Sequence, residues 1–225
     1  MKYTLKQVAK TIDHSLLKPE MTRAEVQAGC EIAKKYDVAS VCCKPADVPF
    51  CVEHLKGTDV EVGTVVGFPH GSSATETKVF ETKLAVSQGA TEIDMVINIG
   101  WMKSGMYAEV QADIEAVVKA AAGKCVKVIL ENAYLTKEEI AKGSQLVDAA
   151  GADYVKTSTG YAPTGATLED IKIMKDNVSP RVKVKSAGGV RTLDVLLEYL
   201  DAGISRTGAT TTAQMLDEFK ERFGQ

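Results

Sequence analysis

Three side chains in this sequence could do chemistry together: Lys156 in DYVKTS, Lys185 in RVKVKS and Asp94 in EIDMVIN. An ammonium group is costly to remove from water, so a lysine at the end of an apolar, strand-like run needs a reason to be there. If Lys156 and Lys185 stand on neighbouring strands, each cation disfavours the other, and partial desolvation disfavours both. One of them should then lose its proton more easily than a free lysine, whose pKa is about 10.4. A neutral amine attacks carbonyl carbon, which is the route to a Schiff base. A charged pair would instead hold an anionic substrate, and the residues alone leave both chemistries open.

The elements that must position these groups follow from an alternation along the chain. Eight β-rich runs lie at 11–15, 40–44, 60–68, 92–98, 126–131, 153–158, 181–186 and 204–209, separated by helical stretches. Thr22 with Glu25, Ser73 with Glu76, and Thr136 with Glu139 have the spacing of a capping box, and each predicts a helix start. Residues 104–122 place Met106, Val110, Ile114, Val117, Val118 and Ala121 on one stripe, predicting a helix packed on a sheet. Gly57, Gly89, Gly123, Gly151 and Gly203 stand where helices should end, since glycine suits the left-handed residue past a helix C-terminus. Eight strand–helix units in 225 residues with no linker predict one α/β domain over 1–225, a closed parallel (β/α)8 TIM barrel. The rival, an open doubly wound sheet, would carry a glycine-rich turn after the first strand, and TIDHSLLKPE has none.

Within the runs, parity separates two faces. Ile93, Met95 and Ile97 oppose Glu92, Asp94 and Asn98; Val126, Val128 and Leu130 oppose Lys127, Ile129 and Glu131; Val155 opposes Lys156; Val182 and Val184 oppose Lys183 and Lys185. If the apolar set packs on the helices, the charged set faces the lumen, where it must pair or hydrogen-bond. Glu92, Lys127 and Lys183, early on their strands, are expected to form a water-exposed ion network near the barrel end with no chemical use. Lys156, Lys185 and Asp94 lie nearer the C-terminal face, which carries the active sites of such barrels.

The loops after the last two strands look like anion cradles. SAGGVRT supplies Gly188 and Gly189 before a helix beginning near Thr192, and TGATTTAQ supplies Gly208 before one beginning near Thr211 or Thr212. Glycines let backbone approach a ligand, and helix N-terminal N–H groups suit phosphate. His14, His54 and His70 have no metal-ligand spacing; His14 and His70 could approach the barrel mouth with Glu131 as a third ligand, but no metal is expected. The five cysteines include the adjacent Cys42 and Cys43, read as small buried strand residues rather than a redox pair. A net charge of -3 with both signs interspersed marks no nucleic-acid or membrane surface. The N-terminus has no apolar leader, and no apolar run approaches the roughly 18 residues a membrane helix needs. A cytoplasmic protein acting on small molecules is expected.

The motifs together carry a family likeness. IDHSLLKP, VVGFPHG with its following ETK, EIDMVINIG, VKVILE, VKTSTG and KSAGG followed by VRT run over nearly the whole chain. In them the sequence resembles the deoxyribose-phosphate aldolases, class I aldolases built on (β/α)8 barrels. The resemblance implies that Lys156 forms a Schiff base with acetaldehyde, that Lys185 lowers its pKa, and that Asp94, with Lys185, moves protons between carbinolamine, imine and enamine. Asp13 would join that network beside the substrate. Thr157 and Thr159 would bond substrate hydroxyls or orient Lys156, or else simply complete a strand. Gly160, Gly188, Gly189, Gly208, Thr210 and Thr211 would hold the phosphate of 2-deoxyribose 5-phosphate. The substrates implied are a phosphosugar and aldehydes, with no cofactor, and relatives are often homodimers or higher homo-oligomers.

There are departures. The phosphate loop reads GATT where many relatives read GASS, Asn132 stands where threonine is usual, and the C-terminal DEFKERFGQ lacks the tyrosine of some longer relatives. Other readings remain: a different lysine aldolase, a phosphate-binding barrel isomerase, or a ligand-binding barrel without activity.

Overall fold

In the computed structural model, which describes residues 2–224, strand and helix alternate along the chain. After a short first helix, α1 (Leu5–Ala9), come β1 (Ile12–Leu16), α2 (Arg23–Tyr36), β2 (Ser40–Cys43), α3 (Val48–Leu55), β3 (Glu61–Val66), α4 (Thr75–Ser87) and β4 (Glu92–Val96). Then follow α5 (Ile99–Lys103), α6 (Tyr107–Ala120), β5 (Cys125–Ile129), α7 (Lys137–Ala149), β6 (Tyr154–Lys156), α8 (Leu168–Asp176), β7 (Lys183–Ala187), α9 (Leu193–Ala202), β8 (Arg206–Ala209) and α10 (Thr212–Phe223). The strands pair in parallel in sequence order, and β8 returns to β1 with Gly208 opposite Asp13. This is a closed (β/α)8 barrel, as the alternation predicts.

Local chemistry explains most element ends. Thr22 with Glu25 and Thr136 with Glu139 form both halves of their capping boxes, and the five expected glycines all have positive φ. One expectation fails and one boundary moves. Ser73 does not cap α4, whose N-cap is Ala74; instead the hydroxyl of Thr75 donates to Asp113 on α6 at 2.8 Å. The helix expected over 104–122 forms as α6 but starts only at Tyr107, because Gly105, with φ of 71°, separates it from α5, which ends at Lys103. Met106 lies in that break and is 36% exposed, while Val110, Ile114 and Val117 form the buried stripe.

The outward parity set Ile93, Met95, Val126, Val128, Val155 and Val184 is buried against the helices. At about 1.5–3 kcal/mol per buried aliphatic side chain, this layer supplies the apolar stabilisation that a charged lumen cannot. Two polar ties fix the strand ends that carry the site. Lys78 on α4 is wholly buried, pairs with Asp113 at 2.6 Å, and donates to the carbonyl of Val96 at 2.9 Å, two residues beyond Asp94. The Thr157 hydroxyl donates to the carbonyl of Ala187 at 3.1 Å and accepts from its N–H at 3.0 Å, locking the end of β6 to β7.

Candidate active site

Strand register brings the predicted trio together. Lys156 and Lys185 are Cα partners across β6 and β7, and Asp94 reaches them from β4. Asp94 Oδ2 accepts from Lys156 Nζ at 2.6 Å and from Lys185 Nζ at 2.7 Å. All three are at most 3% exposed. Lys185 Nζ also lies 2.5 Å from Asp13 Oδ2, so Asp13 joins the cluster from β1. Beneath it, Lys127 Nζ is 2.6 Å from Asp13, 2.5 Å from Glu92 and 3.8 Å from Asp94, and Arg206 is 2.5 Å from Asp13 and 3.1 Å from Glu92. Glu92 and Lys127 are therefore buried members of one lattice, not the water-exposed network expected of them; closure of the barrel seals the level at which they stand. Lys183, one residue pair lower, is exposed.

The environment drives the two lysines apart. Burial is the main cause lowering the pKa of Lys156, with the Lys185 charge adding to it and Asp94 opposing. Burial is also the largest single influence on Lys185, but Asp13 and Asp94 outweigh it and its pKa rises. The neighbouring cation thus lowers the pKa of Lys156 in the expected direction, but less than desolvation does. Asp94, though its burial favours the neutral acid, is held well below the usual carboxylate range by Lys156 and Lys185. Its Oδ1 has no hydrogen-bond partner among the described residues, with the Lys127 ammonium 3.8 Å away.

Above the lysines opens a cavity of about 480 Å³ at the C-terminal end of the barrel, with Lys156, Lys185 and Asp13 in its floor. One wall is the pair of loops after β7 and β8: Gly188 and Gly189 at φ of 77° and 82°, then Gly208 and Thr210. A Cβ on Gly188 would stand 2.9 Å from Gly165 Cα, so only glycine lets these two segments touch. Helices α9 and α10 begin just past these loops; the Thr192 hydroxyl caps α9 by accepting from the Val195 N–H, while Thr211 precedes α10 without a side-chain cap. Gly160 and Thr159 line the cavity from the loop after β6. Thr159 donates its N–H and its hydroxyl to Glu131, whose own φ is 58°, and this bond holds the loop above Lys156.

Two predicted threonines stand elsewhere. Thr157 has the opposite parity to Lys156, does not line the cavity, and has its hydroxyl committed to Ala187, so its side chain ties β6 to β7 rather than facing the cavity. Thr211 likewise stands off the cavity, its hydroxyl donating to the carbonyl of Arg191 at 3.0 Å and tying the two loops together. His14 does not approach the mouth: it faces α10, its Nδ1 2.8 Å from the Thr212 hydroxyl, and burial lowers its pKa to about 4. Cys42, unlike Cys43, points into the cavity, and burial pushes its thiol up to about 11. Sequence reasoning missed Arg191, which lines the cavity beside the glycines; the signal was a cation directly after GGV and before a helix cap.

Comparison with known proteins agrees with this geometry. Residues 7–221 match the model described as DeoC/LacD family aldolase. The Deoxyribose-phosphate aldolase of Staphylococcus saprophyticus subsp. saprophyticus is 53% identical over 208 residues, 92% of this chain and 94% of the relative. Deoxyribose-phosphate aldolase 1 of Staphylococcus aureus is 53% identical over 207 residues, with the same shares covered. The tetrameric deoxyribose phosphate aldolase of Aeropyrum pernix superposes with a TM-score of 0.90 at 27% identity, over 97% of this chain and 93% of that one. On the match over nearly its whole length, this chain belongs to the DeoC/LacD family of aldolases.

Proposed function

We propose that the protein is a class I aldolase that reversibly cleaves 2-deoxy-D-ribose 5-phosphate to acetaldehyde and D-glyceraldehyde 3-phosphate through an imine on Lys156. The observation that carries this reading is Lys156 itself, a buried amine with a lowered pKa in the floor of an open cavity, hydrogen-bonded to a carboxylate that a second lysine shares. The neutral amine adds to C1 of the open-chain sugar, and the carbinolamine loses water to give the iminium. A base then removes the proton of the C3 hydroxyl. The C2–C3 bond breaks, its electrons pass into the iminium, and D-glyceraldehyde 3-phosphate leaves an enamine on Lys156. Protonation at C2 and hydrolysis release acetaldehyde and restore the amine. Asp94 and Lys185, joined by a 2.7 Å hydrogen bond, are suited to carry these protons.

The glycine loops after β7 and β8, with Gly160, Thr210 and the Arg191 cation beside them, are suited to the phosphate. That puts the phosphate end against β7 and β8 while C1 meets β6. The tetrameric Aeropyrum pernix relative supports a homo-oligomer, and no helix among the described residues is long and apolar enough to cross a membrane. Mass spectrometry after borohydride reduction with acetaldehyde tests the proposal: the reduced adduct is expected on Lys156 and absent from Lys156→Ala, together with at least a 1000-fold loss of retro-aldol rate on the order expected for a covalent nucleophile. An adduct on another lysine, or none, would remove Lys156 from its role.

A further inference from the structure

Seven charged side chains are linked into one ion-paired lattice inside the barrel, with Asp13, Glu92 and Asp94 facing Lys127, Lys156, Lys185 and Arg206. Four cations thus meet three carboxylates. Lys127 touches all three carboxylates, Lys185 touches Asp13 and Asp94, and Arg206 touches Asp13 and Glu92. Lys156 touches only Asp94, and shares that oxygen with Lys185. With every cation protonated, the lattice carries one uncompensated positive charge in a desolvated space; with Lys156 neutral it is balanced. Arginine cannot give up its proton in a protein, so Arg206 is the one cation here whose charge is permanent.

We propose that Arg206 and Glu92 are positioning residues for the aldolase reaction: by holding Asp13 and Glu92 with a permanent charge, Arg206 makes Lys156 the surplus cation of the lattice and hence the amine that sheds its proton. The inference rests on Lys156 being the imine-forming residue. The linkage runs from Arg206 through Asp13 to Lys185, and from Lys185 through Asp94 to Lys156. Other groups face the two ends. Cys42 on β2 and Lys127 on β5 flank the Asp94 cluster, and Glu131 faces Lys156 from beyond β5. Glu131 bonds Thr159 and is in no ion pair among the described residues, so it stands outside the lattice. Tyr154 on β6 and Lys127 face Arg206 from its own level, with Asp13 and Glu92 as its carboxylates.

The two members of the Arg206–Glu92 pair act on Lys156 with opposite sign, which separates an electrostatic role from a merely structural one. β6 and β8 are two strand spacings apart, about 10 Å. A unit charge at that range, at an effective dielectric constant of about 20, moves a titration by roughly one pH unit. Arg206→Gln removes a positive charge, so the acid-side midpoint of kcat/KM for 2-deoxyribose 5-phosphate cleavage should rise by about one pH unit, with an approximately 10-fold loss of rate on the acid limb. Glu92→Gln removes a negative charge and should lower that midpoint by a similar amount. Arg206→Lys should keep the midpoint, and the double variant Arg206→Gln with Glu92→Gln should return toward the parent value.

Equal-sign shifts in the two single variants, or no shift in either, would overturn the proposal. If Arg206→Gln does not fold, Glu92→Gln and Arg206→Lys still decide it: an unmoved midpoint in the former, or a moved one in the latter, overturns it. Borohydride trapping with acetaldehyde separates this failure from that of the underlying reading. Absence of a Lys156 adduct in the parent protein defeats the imine assignment, whereas a normal adduct with unshifted variants defeats only the role of Arg206 and Glu92.

Discussion

Replacing Lys185 by methionine keeps the length and most of the volume of the side chain and removes its charge. Because Lys156 and Lys185 bond the same oxygen at 2.6 and 2.7 Å, their nitrogens are at most roughly 5 Å apart. At an effective dielectric constant of about 20, two like charges at that distance repel by about 3 kcal/mol, equivalent to roughly two pH units. Removing Lys185 therefore raises the pKa of Lys156, and Asp94, now holding one lysine instead of two, pulls it in the same direction. Asp13 keeps Lys127 and Arg206, so the rest of the lattice stays paired. The neutral fraction of Lys156 on the acid limb should fall by about 100-fold. The assay is the pH dependence of kcat/KM for retro-aldol cleavage. Its acid midpoint should move about two units alkaline, and the loss of rate should shrink as pH rises. The height of the alkaline plateau reports separately on whether Lys185 carries protons. A midpoint that stays in place, or moves acid, refutes the electrostatic coupling of the two lysines.

Two further outcomes follow from the geometry. In Gly188→Ala the new methyl meets Gly165 Cα at 2.9 Å in a backbone with φ of 77°, so the loop must shift at a cost of about 1–2 kcal/mol. KM for 2-deoxyribose 5-phosphate should rise roughly 10-fold, while borohydride trapping of acetaldehyde, which has no phosphate, stays near the parent rate; equal losses in both would dissociate this loop from phosphate. The pKa of His14 falls from its ordinary 6.5 to about 4 because the ring is buried, so below pH 6.5 the unfolded chain binds a proton that the folded one refuses. Stability should be flat above that pH and decline between about 6.5 and 4, by at most about 3 kcal/mol. Urea midpoints measured across this range should show the slope, and His14→Asn, which does not titrate, should flatten it.

The parts of this protein that were legible in its sequence are those set by local periodicity. Strand alternation separated Lys156, Lys185 and Asp94 from the apolar residues beside them, and the same rule, carried one residue further, places Thr157 outside the lumen. Glycine positions marked helix ends for the same local reason. Spacing failed where a tertiary partner intervened: the Ser73–Glu76 spacing was present, but the helix begins at Thr75, whose hydroxyl is drawn to Asp113 across the α4–α6 contact. Lys78 and Asp113 could be read only as solvated helix charges, because nothing near them in sequence shows that the Val96 carbonyl needs a donor. Arg206 was read simply as part of a strand. Its meeting with Asp13 and Glu92 depends on β8 closing onto β1, which joins residues 193 positions apart.

That closure bears on which lysine the proposed mechanism would use. Repulsion between Lys156 and Lys185 is symmetric and cannot choose between them, and both are buried to nearly the same degree. What differs is the supply of carboxylates. Lys185 is bonded by Asp13 as well as Asp94, while Lys156 has only its share of one Asp94 oxygen. Asp13 belongs to β1, which lies next to β8 and far from β6 around the barrel, so an open sheet with the same strands would leave the two lysines nearly equivalent. On the proposed imine mechanism, lysine at both positions would provide the chemistry and ring closure would select the nucleophile, because it delivers the first strand's carboxylate to the seventh strand's amine and withholds it from the sixth.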